Sequence, residues 1–111
     1  MLRRSANAVV ARNEIWKSGD ASEPYECGWA AEAILFLRAL DKPSKAGGRA
    51  RVQISPDGMN WLDEGTRFAL PKKATATAFA RVAHFGNWLR VVADLPKGGK
   101  IKVLVTISLK G

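Results

Sequence analysis

In residues 101–109, IKVLVTISL, every odd position is apolar (Ile101, Val103, Val105, Ile107 and Leu109), and between them stand Lys102, Leu104, Thr106 and Ser108. Alternation at period two, with β-branched residues on the apolar side, predicts a strand with one buried face. Residues 88–95 alternate in the same way. Leu89, Val91, Ala93 and Leu95 fall on one side, with Trp88, Arg90, Val92 and Asp94 on the other. Pro96, Gly98 and Gly99 supply a turn between the two runs, which predicts that they pair as a hairpin. Upstream, RARVQIS at 49–55 places Ala50, Val52 and Ile54 inward and Arg49, Arg51, Gln53 and Ser55 outward.

The run SPDGMNW follows at 55–61. Pro56 presets φ at the second position of a turn, Asp57 is tolerated at the third, and Gly58 accepts positive φ at the fourth. Ser55, Pro56, Asp57 and Gly58 therefore form a structural turn that returns the chain into Asn60, Trp61 and Leu62. On this reading Asp57 only fills a permitted position, and Asp57→Asn is expected to be nearly silent. A single carboxylate in a tight turn also falls far short of the six to eight oxygens that calcium takes. Residues 8–16 and 76–83 contain further strand-like stretches.

Residues 29–41, WAAEAILFLRALD, fit two patterns. Their Ala, Leu, Glu and Arg content suits a helix, which would gather Ala30, Ala33, Ile34, Leu37 and Leu40 on one face. As a strand they place Ala31, Ala33, Leu35, Leu37 and Ala39 on one face and Ile34 and Phe36 on the other, as a centrally placed strand requires. Propensity alone tips toward helix. The segments KPSKAGG (42–48) and LPKK (70–73) read as short loops, and 111 residues accommodate one domain and one core.

Charge is more informative than composition. Hydrophobic residues at 47% and charged residues at 25% are ordinary for a globular chain. Eighteen Lys and Arg against ten Asp and Glu leave +8 and a pI of about 10.2, which favours an acidic partner or simply keeps molecules apart. Cys27 and His84 are single residues of their kind, too few for a metal-ligand set, so no metal and no cofactor is expected. Cys27 reads as a small apolar residue, and His84 as solvent-facing or backbone-bonded. No nucleophile elbow, phosphate-cradling loop or HExxH occurs, so no catalytic residue is expected. No apolar run reaches the roughly eighteen residues of a membrane span, and no signal-peptide core follows Arg4. Synthesis in a reducing cytoplasm is the expectation.

Taken together, the runs LRALD (37–41), VQISPDGMNW (52–61), FGNWLRVVADL (85–95) and IKVLVTISLKG (101–111) resemble small β-sandwich proteins encoded among the structural genes of tailed bacteriophages and prophages. Those proteins show a strand ending in Leu-Asp, a Val-x-Ile-x-Ser-Pro-Asp-Gly-x-x-Trp hairpin, an aromatic-x-Arg-Val strand and a last strand ending near a Gly. The likeness covers roughly residues 35–111. The chain departs from the pattern in its basic content and its helix-prone 29–41 stretch, which the resemblance turns to strand.

The resemblance implies an all-β, antiparallel, jelly-roll-like sandwich over residues 9–111, preceded by an arm or frayed end at 1–8. It implies a capsid decoration or cement protein located in the virion. That protein would be homo-oligomeric, with a trimer favoured, and would bind the major capsid protein or another virion protein, with no specific nucleic acid and no membrane. Arg3, Arg4, Trp61 and Trp88 are the candidate partner-contacting residues, and Trp61 is expected to cover one end of the core. The alternatives are a carbohydrate-binding or tail-fibre adhesion module, suggested by the four tryptophans Trp16, Trp29, Trp61 and Trp88, and a basic nucleic-acid-binding protein. Against the latter, Lys and Arg are spread along the whole chain without an aromatic-interleaved motif.

Overall fold

The alternating runs fold as strands, and the computed structural model, which describes residues 4–45 and 47–111, contains no helix among them. Eight strands follow in chain order: β1 Ser5–Trp16, β2 Tyr25–Glu26, β3 Glu32–Ala39, β4 Arg49–Ser55, β5 Leu62–Ala69, β6 Thr77–Ala83, β7 Trp88–Asp94 and β8 Ile101–Lys110. They build two four-stranded antiparallel sheets, one in the order β1-β8-β3-β6 (sheet A) and one in the order β2-β7-β4-β5 (sheet B). Apart from the β4–β5 hairpin, every connection passes from one sheet to the other.

The core lies between the sheets. From β8 it takes Ile101, Val103, Val105, Ile107 and Leu109, all at most 1% exposed, so the alternation read from the sequence is realised at every position. These five meet Ala33, Leu35, Leu37 and Ala39 of β3 within sheet A, and Ala50, Val52, Leu89, Val91 and Ala93 from sheet B. Each Val, Leu or Ile side chain fully buried in this way contributes about 1.5–3 kcal/mol, and each alanine less.

Residues 32–39 are strand, not helix. β3 is hydrogen-bonded to β8 on one side and to β6 on the other, and pairing along two edges outweighs a local helical preference worth a few tenths of a kcal/mol per residue. A helix would also have scattered Ala33, Leu35, Leu37 and Ala39 around its axis, where the strand aligns all four on the core.

The predicted β7–β8 hairpin does not form. β7 lies in sheet B and β8 in sheet A, and Pro96–Gly99 is a corner between sheets, closed by Gly99 N–H donating to the Pro96 carbonyl at 2.8 Å. Both strands have one buried face, and alternation is identical whether two such strands pair side by side or face each other across a core.

β1 is longer than its sequence pattern implied and is interrupted by irregularities between Val9 and Ala11 and between Arg12 and Glu14. Asn13 there has φ of 53°. Bulges shift the alternation by one residue each, which is why 8–16 lacks a clean period. Of the expected arm at 1–8, residues 5–8 are the start of β1, with Ser5 opposite Lys110 and Ala8 opposite Ile107. Residues 1–3 lie outside the described residues.

Candidate functional site

Ser55 ends β4 with its side chain buried. Its Oγ accepts hydrogen bonds from the backbone N–H of Asp57 (3.2 Å) and Gly58 (2.8 Å) and donates to Asp57 Oδ1 (3.0 Å). Asp57 Oδ1 also accepts from the N–H of Met59 and of Asn60, each at 2.9 Å, and Oδ2 accepts from Asn60 Nδ2 at 2.8 Å. Asp57 is thus the hub of the loop, a larger role than a tolerated turn position. Four donors aimed at one carboxylate hold its pKa well below the usual range, the Asn60 and Met59 amides first and the Asn60 and Ser55 side chains after them.

The sign of the pH effect follows. A carboxyl whose folded pKa is depressed contributes stability that is complete above its unfolded value, near 3.9, and is lost as pH falls toward the folded value. Asp57→Asn keeps one oxygen for the amides but brings an NH2 group against Asn60 Nδ2, so it is expected to melt a few degrees below the parent at pH 7. That difference should narrow steadily as melts are repeated from pH 5 down to pH 2.5. A difference independent of pH would mean the carboxylate charge contributes nothing.

Gly58 has φ of 79° and packs against Trp88, whose indole atoms lie 3.2–3.4 Å from where a Cβ would sit. Trp88 faces Ser55 across the β4–β7 ladder, so the turn rests on a neighbouring strand of its own sheet.

The residues behind the turn form a polar network on the outer face of sheet B. Register places Asp63, Gln53 and Arg90 in one crosswise row, with Arg67, Arg51 and Val92 in the next. Arg51 spans the sheet, donating from Nη1 to Asp63 Oδ1 at 2.8 Å and from Nε to Asp94 Oδ2 at 2.9 Å. Gln53 Nε2 donates to Asp63 Oδ1 at 3.0 Å, and Gln53 Oε1 accepts from Arg90 Nε at 2.8 Å. Arg90 in turn lies over the Trp61 indole, 4.3 Å from its centroid. The Asp63 carboxyl is held below its ordinary pKa by the Gln53 hydrogen bond and then by Arg51. Burial, followed by the Arg51 charge, lowers that of Arg90.

Gln53 and Ser55 do point outward, yet both are buried, Gln53 beneath the Arg90 and Asp63 side chains that bond to it and Ser55 within the turn. Trp61 does not cover an end of the core; it is half-buried on the outer face under Arg90, and the core contacts come from other residues. Val92 is buried on the outer side because residues 19–22 run alongside β7, bonded through Ser22 N–H to the Val91 carbonyl (2.9 Å) and Ala93 N–H to the Asp20 carbonyl (3.0 Å).

The other candidates are dispersed. Arg4 stacks on Trp29, 4.2 Å from the ring centroid, and its carbonyl accepts from Gly111 N–H at 2.8 Å, so it is tied into the body of sheet A's end. Arg3 lies outside the described residues. Trp16 is core, 2% exposed, with Nε1 donating to Glu14 Oε1 at 3.1 Å. Cys27 is buried and its thiol is pushed up to about 11 by burial and then by Glu26, which keeps it protonated and unreactive at neutral pH. His84 is exposed, with φ of 56°. Among the described residues no three His, Cys, Asp or Glu side chains are gathered closely enough to hold a metal ion. Comparison with known protein families, with curated proteins and with solved structures finds no match to this chain.

Proposed function

We propose that this chain is a structural virion protein of a tailed bacteriophage or prophage, a decoration protein that binds the capsid surface as a homo-oligomer, with a trimer favoured, and that its two sheets form a jelly roll. The observation that carries the reading is the strand order, β1-β8-β3-β6 against β2-β7-β4-β5 with all links but one crossing between sheets. Two interlocked Greek keys produce such an order, in an architecture used by viral capsid and lectin domains. Fold alone leaves function open. The resemblance of residues 35–111 to phage structural proteins supplies the context, and the self-bonded Ser55–Asn60 turn supports a role as rigid scaffold over a role as mobile ligand loop.

A second reading, a carbohydrate-binding module, is favoured by one observation: Trp61 and Trp88 are both half-buried, at the same end of sheet B. Indole faces of that kind stack on sugar rings. Against it, one face of Trp61 is already occupied by Arg90.

The test is to size the purified protein and mix it with assembled shells, and separately with dispersed subunits, of the major capsid protein from the phage that carries the gene. A decoration protein is expected to be oligomeric and to bind shells about a hundredfold more tightly than subunits, because only the shell repeats its sites at matching spacing. A monomer that ignores shells and whose tryptophan fluorescence saturates with one glycan, the response being lost in Trp61→Ala, would replace this reading with the sugar-binding one.

A further inference from the structure

The outer face of sheet A carries a band of apolar side chains. Register aligns Val9, Thr106, Phe36 and Phe79 in one row across all four strands. Val9 is 44% and Phe79 49% exposed, and the Phe36 and Phe79 rings lie 6.1 Å apart. Ile34 and Leu104, both partly exposed, occupy the rows on either side, and Ile15, 66% exposed, extends the band along β1. Around it stand Arg12, Arg38, Arg81, Lys102 and Lys110, with Glu32 as the one acidic side chain among the outward positions of these described strands. The Arg81 guanidinium lies over the Phe79 ring at 5.1 Å.

A contiguous apolar band on a sheet face, rimmed by charge, marks an interaction surface. We propose that this face docks on a protein surface with an apolar centre and an acidic rim, and that on the decoration-protein reading, on which the inference rests, that surface belongs to the capsid shell. Charge complementarity selects the occupant. A second copy of this face would set five cations against five, leaving only Glu32 on each side to offset them. Single-stranded nucleic acid would use the cations, but the band is mostly aliphatic and Arg81 already covers Phe79, so stacking platforms for bases are few. Four strands about 4.8 Å apart and four rows about 6.8 Å apart give roughly 500 Å². That is below the roughly 800 Å² per partner of a standard interface, so a single contact is weak and repeated sites supply the affinity.

Two paired variants test the proposal, Val9→Ser with Phe79→Ser and Arg38→Glu with Arg81→Glu, all at exposed positions. Each is assayed for melting, self-association, co-sedimentation with the shells and binding of a twenty-nucleotide oligo-dT. The expected result is unchanged melting and self-association, with shell binding weakened at least tenfold in both pairs and, in the parent, declining as salt rises. If the apolar pair fails to fold, the charge pair alone decides. Shell binding equal to the parent in the folded variants overturns this inference and leaves the decoration reading intact, whereas a parent that does not bind shells overturns both. Loss of self-association in the Val9, Phe79 pair would identify a second copy as the occupant. Tight oligo-dT binding that the variants lose, with shell binding intact, would identify a nucleic-acid platform.

Discussion

Val105→Asp is expected to leave the chain unfolded at neutral pH. Val105 is fully buried at the middle of β8, opposite Ala11 on one neighbouring strand and Leu37 on the other. A carboxylate there has no cation within the core cluster, whose members are all apolar. Burying it unpaired costs on the order of several kcal/mol, in addition to the lost packing of the valine, against a total stability of about 5–15 kcal/mol for a small domain. Ser108→Asp, on the opposite face of the same strand, is the matched control. Its side chain points to solvent beside Asn7, in the same crosswise row as Arg81, and it should fold with a melting temperature within a few degrees of the parent. Circular dichroism and a thermal melt read both. Cooperative melting of Val105→Asp near the parent temperature would mean that the two sheets do not share the core described.

Gly58→Val should lower the melting temperature by about 10–20 °C, from two separate costs. A φ of 79° is costly for any residue with a Cβ, roughly 1–2 kcal/mol, and more for a β-branched one. The added Cβ also meets the Trp88 indole at 3.2 Å, so the ring must shift or the turn must open. For a domain of this size 1 kcal/mol corresponds to roughly 4–8 °C. Gly58→Asn separates the terms, since Asn tolerates the left-handed region but still carries a Cβ. It should fall between parent and valine variant. If Asn and Val were equally damaging, contact with Trp88 rather than backbone conformation would dominate, and Trp88→Leu should then relieve part of the loss in Gly58→Val.

Which parts of the candidate surfaces were legible depends on sequence distance. The Ser55–Asn60 turn is local, and the residue types that build it are adjacent, so its place and its reversal were readable; the Asp57 hub was not, because a turn rule names permitted residues without counting the donors that converge on them. The Arg51 network escaped altogether. Its members come from β4, β5 and β7, with Arg51 and Asp94 forty-three positions apart and Gln53 and Asp63 ten apart. Nothing in a run such as RARVQIS marks Gln53 as buried, since it is covered only once Arg90 arrives from another strand. For the sheet A face a signal did exist. Leu104 among the polar positions of 101–109, and Ile34 with Phe36 opposite the core side of 32–39, were the exceptions to alternation. In 32–39 they pointed to a centrally placed strand, which β3 is, between β8 and β6, and the outer face of that sheet is left partly exposed.

Local patterning was enough for the strand at 101–109, the inward sides of 49–55 and 88–95 and the reversal at Ser55–Gly58, because alternation and turn chemistry act between residues a few positions apart. The strand at 32–39, which propensity turned toward helix and the resemblance toward strand, is secured by pairing along both edges, and only packing in three dimensions puts β7 and β8 in different sheets and Trp61 under Arg90. Each of those outcomes depends on hydrogen bonds or packing with segments distant in the chain. Alternation specifies that a strand has a buried side. Which strand pairs along its edge is settled by backbone hydrogen bonds that any strand can offer, and by how the two sheets together fill one core.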